Sequence, residues 1–340
     1  MLGKLESQKA MKIETGLPPT VSRKGHTVKR LRLTYGPYPI KGANSKEKIG
    51  NGRSMDPAGT AFNYESADIP RDATIITSNS TWILKDGKLA DINSGLYNHH
   101  LLVLDTSKSA PTIAKCANGR GVQPPGMSMF SGSSEDQGGA FYSTPSGEFN
   151  SGYYIGKNDR IIMLGDVVNY KNETQEVYHL SDIQYIEGKA SDCMEAVTQL
   201  WDVKTCTGGM KANPPPKDVK QYSVSGSEMT IVQDGVFLAF RGHLHDGGVA
   251  LSAKINGKEI CSSFAKYGGA ASDPNNPGEG TINEMTYCYP KEPMKVKKGD
   301  NMTLEASYDL EKHPLRKQHN GNMAETMALM SIFFAGPEMK

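Results

Sequence analysis

The sequence predicts an all-β chain of two jelly-roll or β-sandwich domains packed side by side, and three observations predict it. Apolar runs are short or alternating, which suits half-buried strands better than helices. Turn residues are abundant, with 36 Gly and 19 Pro among 340 residues. A Gly-then-Pro segment, residues 207–217 (Thr-Gly-Gly-Met-Lys-Ala-Asn-Pro-Pro-Pro-Lys), has the chemistry of a linker. A chain of this length exceeds one ordinary core, so the expected domains are 25–210 and 218–340.

In chain order, the strand signals are Thr74–Thr77, Leu101–Leu104, Ile161–Leu164, Val177–Leu180, Val236–Phe240, Met302–Ala306 and Met327–Phe334. Gly, Asn, Asp and Pro clusters bound them. Val249–Cys261 reads as a hairpin, because Asn256-Gly257 is the favoured pair for a type I′ turn. Asp192–Asp202 is helix-like in pattern yet compatible with a strand.

Net charge is +1, so no global field argues for a nucleic-acid partner or an anionic membrane surface. No apolar run reaches the roughly 18 residues of a membrane helix. A monomer is expected, acting on a small molecule or peptide. The N-terminus shows no apolar signal-peptide core, yet the five cysteines and three Asn-x-Ser/Thr sequons (Asn79, Asn172, Asn301) fit a secreted protein. Cys193–Cys206 and Cys261–Cys288 are the nearest disulfide pairings in sequence, with a fully reduced cytoplasmic chain as the alternative.

The chemistry lies in the histidines. Of eight, four fall in two tight pairs, His99-His100 and His243-x-His245. Residues two apart on a strand share a face, so His243 and His245 point the same way and form half a metal site. Met327 begins the last apolar strand, and a thioether beside two imidazoles selects a soft ion, chiefly Cu(I). Core-filling methionine and a surface histidine pair are the plainer readings. Adjacent His99 and His100 point to opposite faces on a regular strand and reach one metal only at a bulge, turn or strand end. A third ligand there would come from His179, Asn169, Met163 or water. A cupin-like site is disfavoured, since position 249 is Val and Asp246 adjoins the pair.

Gly257–Gly268, Met285–Pro290 and Gly299–Tyr308 resemble the stress up-regulated Nod19 family, whose cysteines match Cys261 and Cys288. More distantly, Asn98–Leu104, Arg241–His245 and Ala324–Met327 resemble segments of the copper type II, ascorbate-dependent monooxygenases, which include the peptidylglycine α-hydroxylating and dopamine β-monooxygenases. That resemblance implies two jelly-roll-like domains with one copper each. His243, His245 and Met327 would form the catalytic, oxygen-activating copper, and His99 and His100 would belong to an electron-supplying copper fed by a reductant such as ascorbate. It implies hydroxylation of a substrate C–H bond, with Arg241 able to touch substrate. The alternative is a copper-binding or stress-related secreted protein without hydroxylase activity. This chain departs from the pattern at Asn169, where a third histidine is expected, and at Leu329 and Ser331, where peptide-amidating enzymes carry an Asn and a Tyr.

Overall fold

A computed structural model describes residues 5–54, 59–122, 127–135, 137–144, 146–208, 214–268, 280–290, 293–316 and 323–336. The all-β expectation holds: among the described residues the regular structure is strand apart from one 3-10 turn, Ile92–Ser94. Each strand signal read from the sequence falls in a strand, except that the last strand begins at Ala328, one residue after Met327. The ambiguous stretch resolves as the strand Met194–Asp202. Among the described residues no helix is long and apolar enough to cross a membrane.

The chain forms two compact units. The first takes the residues up to Ser109 together with Met127–Cys193, and the second takes the segment starting at Ala110 and the chain from Met194 onward. Along the sequence the change of unit falls at 193/194, and residues 209–213 of the Gly/Pro segment lie outside the described residues.

In the first unit, one sheet runs Ser7–Gln8, Gly59–Ser66, Ile161–Asn169, Leu96–Ser109, Met127–Ser133. The other runs Lys12–Glu14, Lys29–Ile40, Gln175–Glu187, Ala73–Ile83, Ser151–Ile155, with Ala140–Phe141 added onto Ala73–Ile83. Their inner faces meet through buried aromatic rings. Tyr64 from the first sheet bonds His179 from the second at 2.7 Å, and Trp82 lies edge-on to His179. Gly165 is required here, because a Cβ would come within 2.3 Å of the Trp82 ring. Its neighbour Asp166 is thereby fixed on the opposite side of a tightly packed strand.

In the second unit, one sheet runs Met194–Asp202, Ala328–Ala335, Gly235–Leu244, Tyr287–Cys288, with Met294–Val296 also paired to Gly235–Leu244. The other runs Thr281–Met285, Lys258–Gly268, Gly248–Ile255, Asn301–Asp309, Met229–Ile231, Ala114–Cys116, with Gln221–Ser225 added onto Asn301–Asp309. Phe237, Phe240, Leu244, Met330 and Phe334 pack in one core with Leu251, Met302 and Leu304. Each buried phenylalanine contributes roughly 1.5–3 kcal/mol of transfer free energy. The hairpin is as read, with Asn256 and Gly257 at φ 49° and 78°, the positive values a type I′ turn needs.

The disulfides correct one pairing. Cys261–Cys288 forms, but Cys206 pairs with Cys116, 90 residues away, and Cys193 stays free. The segment that starts at Ala110 pairs its strand Ala114–Cys116 with Met229–Ile231 in the second unit. This brings the Cys116 and Cys206 Cα atoms to 5.5 Å, within bridging range. Nearness in sequence did not reveal that long-range contact.

Candidate metal centres

In the second unit the ladder pairs His243 with Leu329 and Leu244 with Ala328. Continuing that register sets His245 across from Met327, and the His245 backbone N–H donates to the Met327 carbonyl at 3.4 Å. The Tyr308 hydroxyl donates to the same carbonyl at 3.2 Å, so two donors pin the Met327 backbone. Directly opposed residues share a face, so Arg241, His243, His245, Met327, Leu329 and Ser331 all lie on one side of this sheet. Leu244 and Met330, on the other side, are buried in the core. Both histidines and Met327 are half-buried.

The two imidazole centroids are 5.5 Å apart, with their planes at 89°. His245 Nδ1 lies 2.9 Å from the Glu325 carbonyl oxygen. A carbonyl only accepts, so Nδ1 carries the proton and Nε2 of the neutral ring keeps its lone pair. Two imidazole nitrogens and a thioether are a donor set suited to Cu(I). Arg241, buried, holds its guanidinium over the Tyr287 ring at 5.5 Å. Asp246, also buried, accepts the Ile282 backbone N–H at 2.9 Å.

The first unit solves a harder geometric problem. The ladder steps from Asp166 opposite His100 to Val167 opposite Asn98, so His99 is the extra residue of a β-bulge. A bulge breaks the alternation that would separate adjacent side chains. Ligand atoms of His99, His100 and Asp166 therefore lie within 4.8 Å of one another. Asp166, 1% exposed, accepts from Ser54 Oγ at 2.7 and 2.9 Å, and its Oδ2 lies 3.1 Å from His99 Nδ1. That contact orients His99 as a carboxylate behind a metal-ligating histidine does.

The residues read from the sequence as third ligands are engaged elsewhere. Asn169 donates through Nδ2 to the Ile40 and Glu173 carbonyls, while Oδ1 accepts from Lys171 N and Gln175 Nε2. Both Oδ1 lone pairs are used, so Asn169 fastens a turn and has none to offer a metal. His179 is fully buried between the sheets, bonds Tyr64, and belongs to no ligand cluster among the described residues. Burial pushes its pKa down to about 3. Met163 is also fully buried, in the core. Sequence reasoning missed Asp166, although a lone carboxylate inside the apolar strand Ile161–Asn169 was the available signal.

These features define an all-β protein with a histidine pair in each of two compact units. Residues 177–332 match the family model described as Stress up-regulated Nod 19, so that segment is Nod19-like; it includes His243, His245 and Met327. A Phoma sp. protein named "Probable copper-dependent oxygenase M1" is 25% identical over 257 residues, covering 75% of this chain and 61% of the relative. A Cochliobolus lunatus protein named "Probable copper-dependent oxygenase clz3" is 25% identical over 245 residues, covering 72% of this chain and 74% of the relative. The chain thus spans less than two thirds of the first relative's length. Both resemblances read from the motifs, to Nod19 and to copper oxygenases, are met by these matches. Solved structures of PNGF-II and of PNGase F from Flavobacterium meningosepticum align over 90% of this chain at 10% and 9% identity. They cover 65% and 96% of those chains, and TM-scores of 0.39 are too low to bear on function.

Proposed function

We propose that this chain is a copper-dependent monooxygenase-like protein that hydroxylates a C–H bond of its substrate. His243, His245 and Met327 would hold the catalytic copper, and His99 and His100 a second one. The observation that carries this reading is the register that sets both imidazoles and the Met327 side chain on one sheet face. The relatives' names support copper as the ion. Bound copper would supply one-electron redox chemistry and O2 activation, with electrons from an external reductant such as ascorbate.

The chain's own residues would prepare that site. The Glu325 carbonyl fixes the His245 tautomer, so that Nε2 would be the ligand atom. In the first unit Asp166 holds His99 through Nδ1, leaving Nε2 as its ligand atom. Arg241, two residues before His243 on the same face and stacked on Tyr287, offers a fixed positive charge to a polar or anionic part of the substrate. Leu329 and Ser331 stand on that face where peptide-amidating enzymes carry amide and phenol groups, which argues against a glycine-extended peptide as substrate. Two disulfides suit an oxidising compartment and support secretion.

One feature favours a second reading, a copper-binding protein without hydroxylase activity: a third imidazole is expected beside His99 and His100, and the group found there is the Asp166 carboxylate, which is turned to His99 Nδ1. Copper quantification with X-ray absorption on the loaded protein, followed by ascorbate-driven O2 consumption, separates the readings. Two coppers per chain, one with a sulfur scatterer, together with O2 uptake support the oxygenase. One copper supports a mononuclear variant, and bound copper without O2 uptake selects the second reading. No bound copper overturns both.

A further inference from the structure

A third ligand cluster in the first unit belongs to neither histidine pair. His26 sits in the turn before the strand Lys29–Ile40, and Asp192-Cys193 in the turn before Met194–Asp202. One ligand atom from each of His26, Asp192 and Cys193 lies within 4.8 Å of the other two. Backbone bonds define both turns, from His26 N to Arg23 O and from Cys193 N to Ala190 O, each 3.1 Å. His26 Nε2 lies 2.8 and 3.0 Å from the two Asp192 oxygens, and Asn150 Nδ2 donates to Asp192 Oδ2 at 2.8 Å. The carboxylate is thus already oriented from behind, as ligating carboxylates are.

We propose that His26, Asp192 and Cys193 form a zinc site that clips the 23–26 turn to the 190–193 turn. Imidazole nitrogen, carboxylate oxygen and thiolate sulfur are all ordinary zinc donors, and solvent would complete the tetrahedron. Metal bonds of about 2.0–2.3 Å hold two such donors roughly 3.3–3.8 Å apart. His26 and Asp192 stand slightly closer than that, and a Cys193 ligand atom lies within 4.8 Å of both, so small side-chain rotations would bring the three donors to it. Ligation replaces the S–H bond of Cys193 with an S–Zn bond and releases the thiol proton to solvent, with no change of oxidation state. One thiolate and one carboxylate then neutralise the dication. Arg23 lies behind them, 4% exposed, its guanidinium donating to the Phe149 and Ser151 carbonyls. Burial raises the Cys193 thiol pKa, and the Arg23 charge opposes that shift.

Cobalt(II) tests this site apart from the other two. Four of the five cysteines are in disulfides, so a thiolate-to-cobalt charge-transfer band can arise only at Cys193. Titrating the intact protein with Co2+ alone should raise a near-ultraviolet band that saturates at one ion and is displaced by Zn2+. The band should vanish in Cys193→Ser, and its apparent affinity should fall at least about tenfold in His26→Gln and in Asp192→Asn. No band, or a band that His26→Gln and Asp192→Asn leave unchanged, would overturn the site. Neither copper site contains a thiolate, so either result leaves the oxygenase reading to its own test.

Discussion

The two histidine pairs reach the same end by opposite use of the β-ladder. His243 and His245 exploit regular alternation: one residue separates them, Leu244 goes into the core, and the facing strand delivers Met327 in register. His99 and His100 need the alternation broken, and the bulge opposite Asp166 and Val167 breaks it. The supporting groups differ too. A backbone carbonyl fixes His245, whereas a buried carboxylate itself held by Ser54 fixes His99. Spacing in sequence therefore predicts convergence only together with the local ladder. The facing strand also brings a different group to each pair: the Met327 thioether in one unit, and in the other the Asp166 carboxylate that orients His99.

Two single-residue deletions put the largest strain on this comparison. Removing Leu244 would move His245 into the place of a leucine that is 2% exposed. The second unit should lose on the order of 3 kcal/mol or more, from a lost core side chain and a buried imidazole. Removing His99 should do the reverse. Asn98 opposite Val167 and His100 opposite Asp166 would become consecutive rungs of a regular ladder, and no other side chain need change face. Unfolding in urea should then shift by no more than about 1 kcal/mol while the first-unit site loses its metal. If losing His99 costs as much stability as losing Leu244, the bulge is part of the fold and not a device for the site.

The second-unit pair was legible because it obeys a short-range rule. His-x-His on an alternating strand fixes two directions at once, and Met327 needed only the register of the facing strand. The first-unit pair was legible as residues but not as a site. Asp166 lies three residues before Asn169, and only the pairing of Ile161–Asn169 against Leu96–Ser109 reveals that it meets His100. Asn169 and His179 were plausible donors by type. Four hydrogen bonds satisfy the first, and the aromatic core encloses the second. Cys116–Cys206 was hidden for a similar reason, since a segment inserted in the sequence of one unit pairs its strand with the other. Strand identity was readable because alternation is local, whereas long-range register was not.

Asp166→Asn sharpens the contrast at intermediate size. The amide keeps the shape and can still accept from Ser54, but it removes the negative charge that holds His99 Nδ1. Loss of such a supporting group costs about 10–100-fold in metal affinity. Competitive copper titration should show that loss at the first-unit site with the second-unit site unchanged. Equal weakening of both sites would mean that the two are not independent.

The smallest effect isolates the thioether. Met327 is half-buried, its carbonyl is held by His245 N and Tyr308, and neither contact uses the side chain. Met327→Ile should therefore leave the strand pairing intact, at a cost under about 1.5 kcal/mol. Soft sulfur favours Cu(I) more than Cu(II), so its removal should weaken Cu(I) retention by about tenfold, or about 1.4 kcal/mol. Competition against a colorimetric Cu(I) chelator measures this, and Cu(II) binding through the two imidazoles should change less. His99 and His100 belong to the other compact unit, so Cu(I) retention there serves as an internal reference. Unchanged Cu(I) retention at the second-unit site would remove Met327 from the ligand set and leave His243 and His245 as a two-nitrogen site.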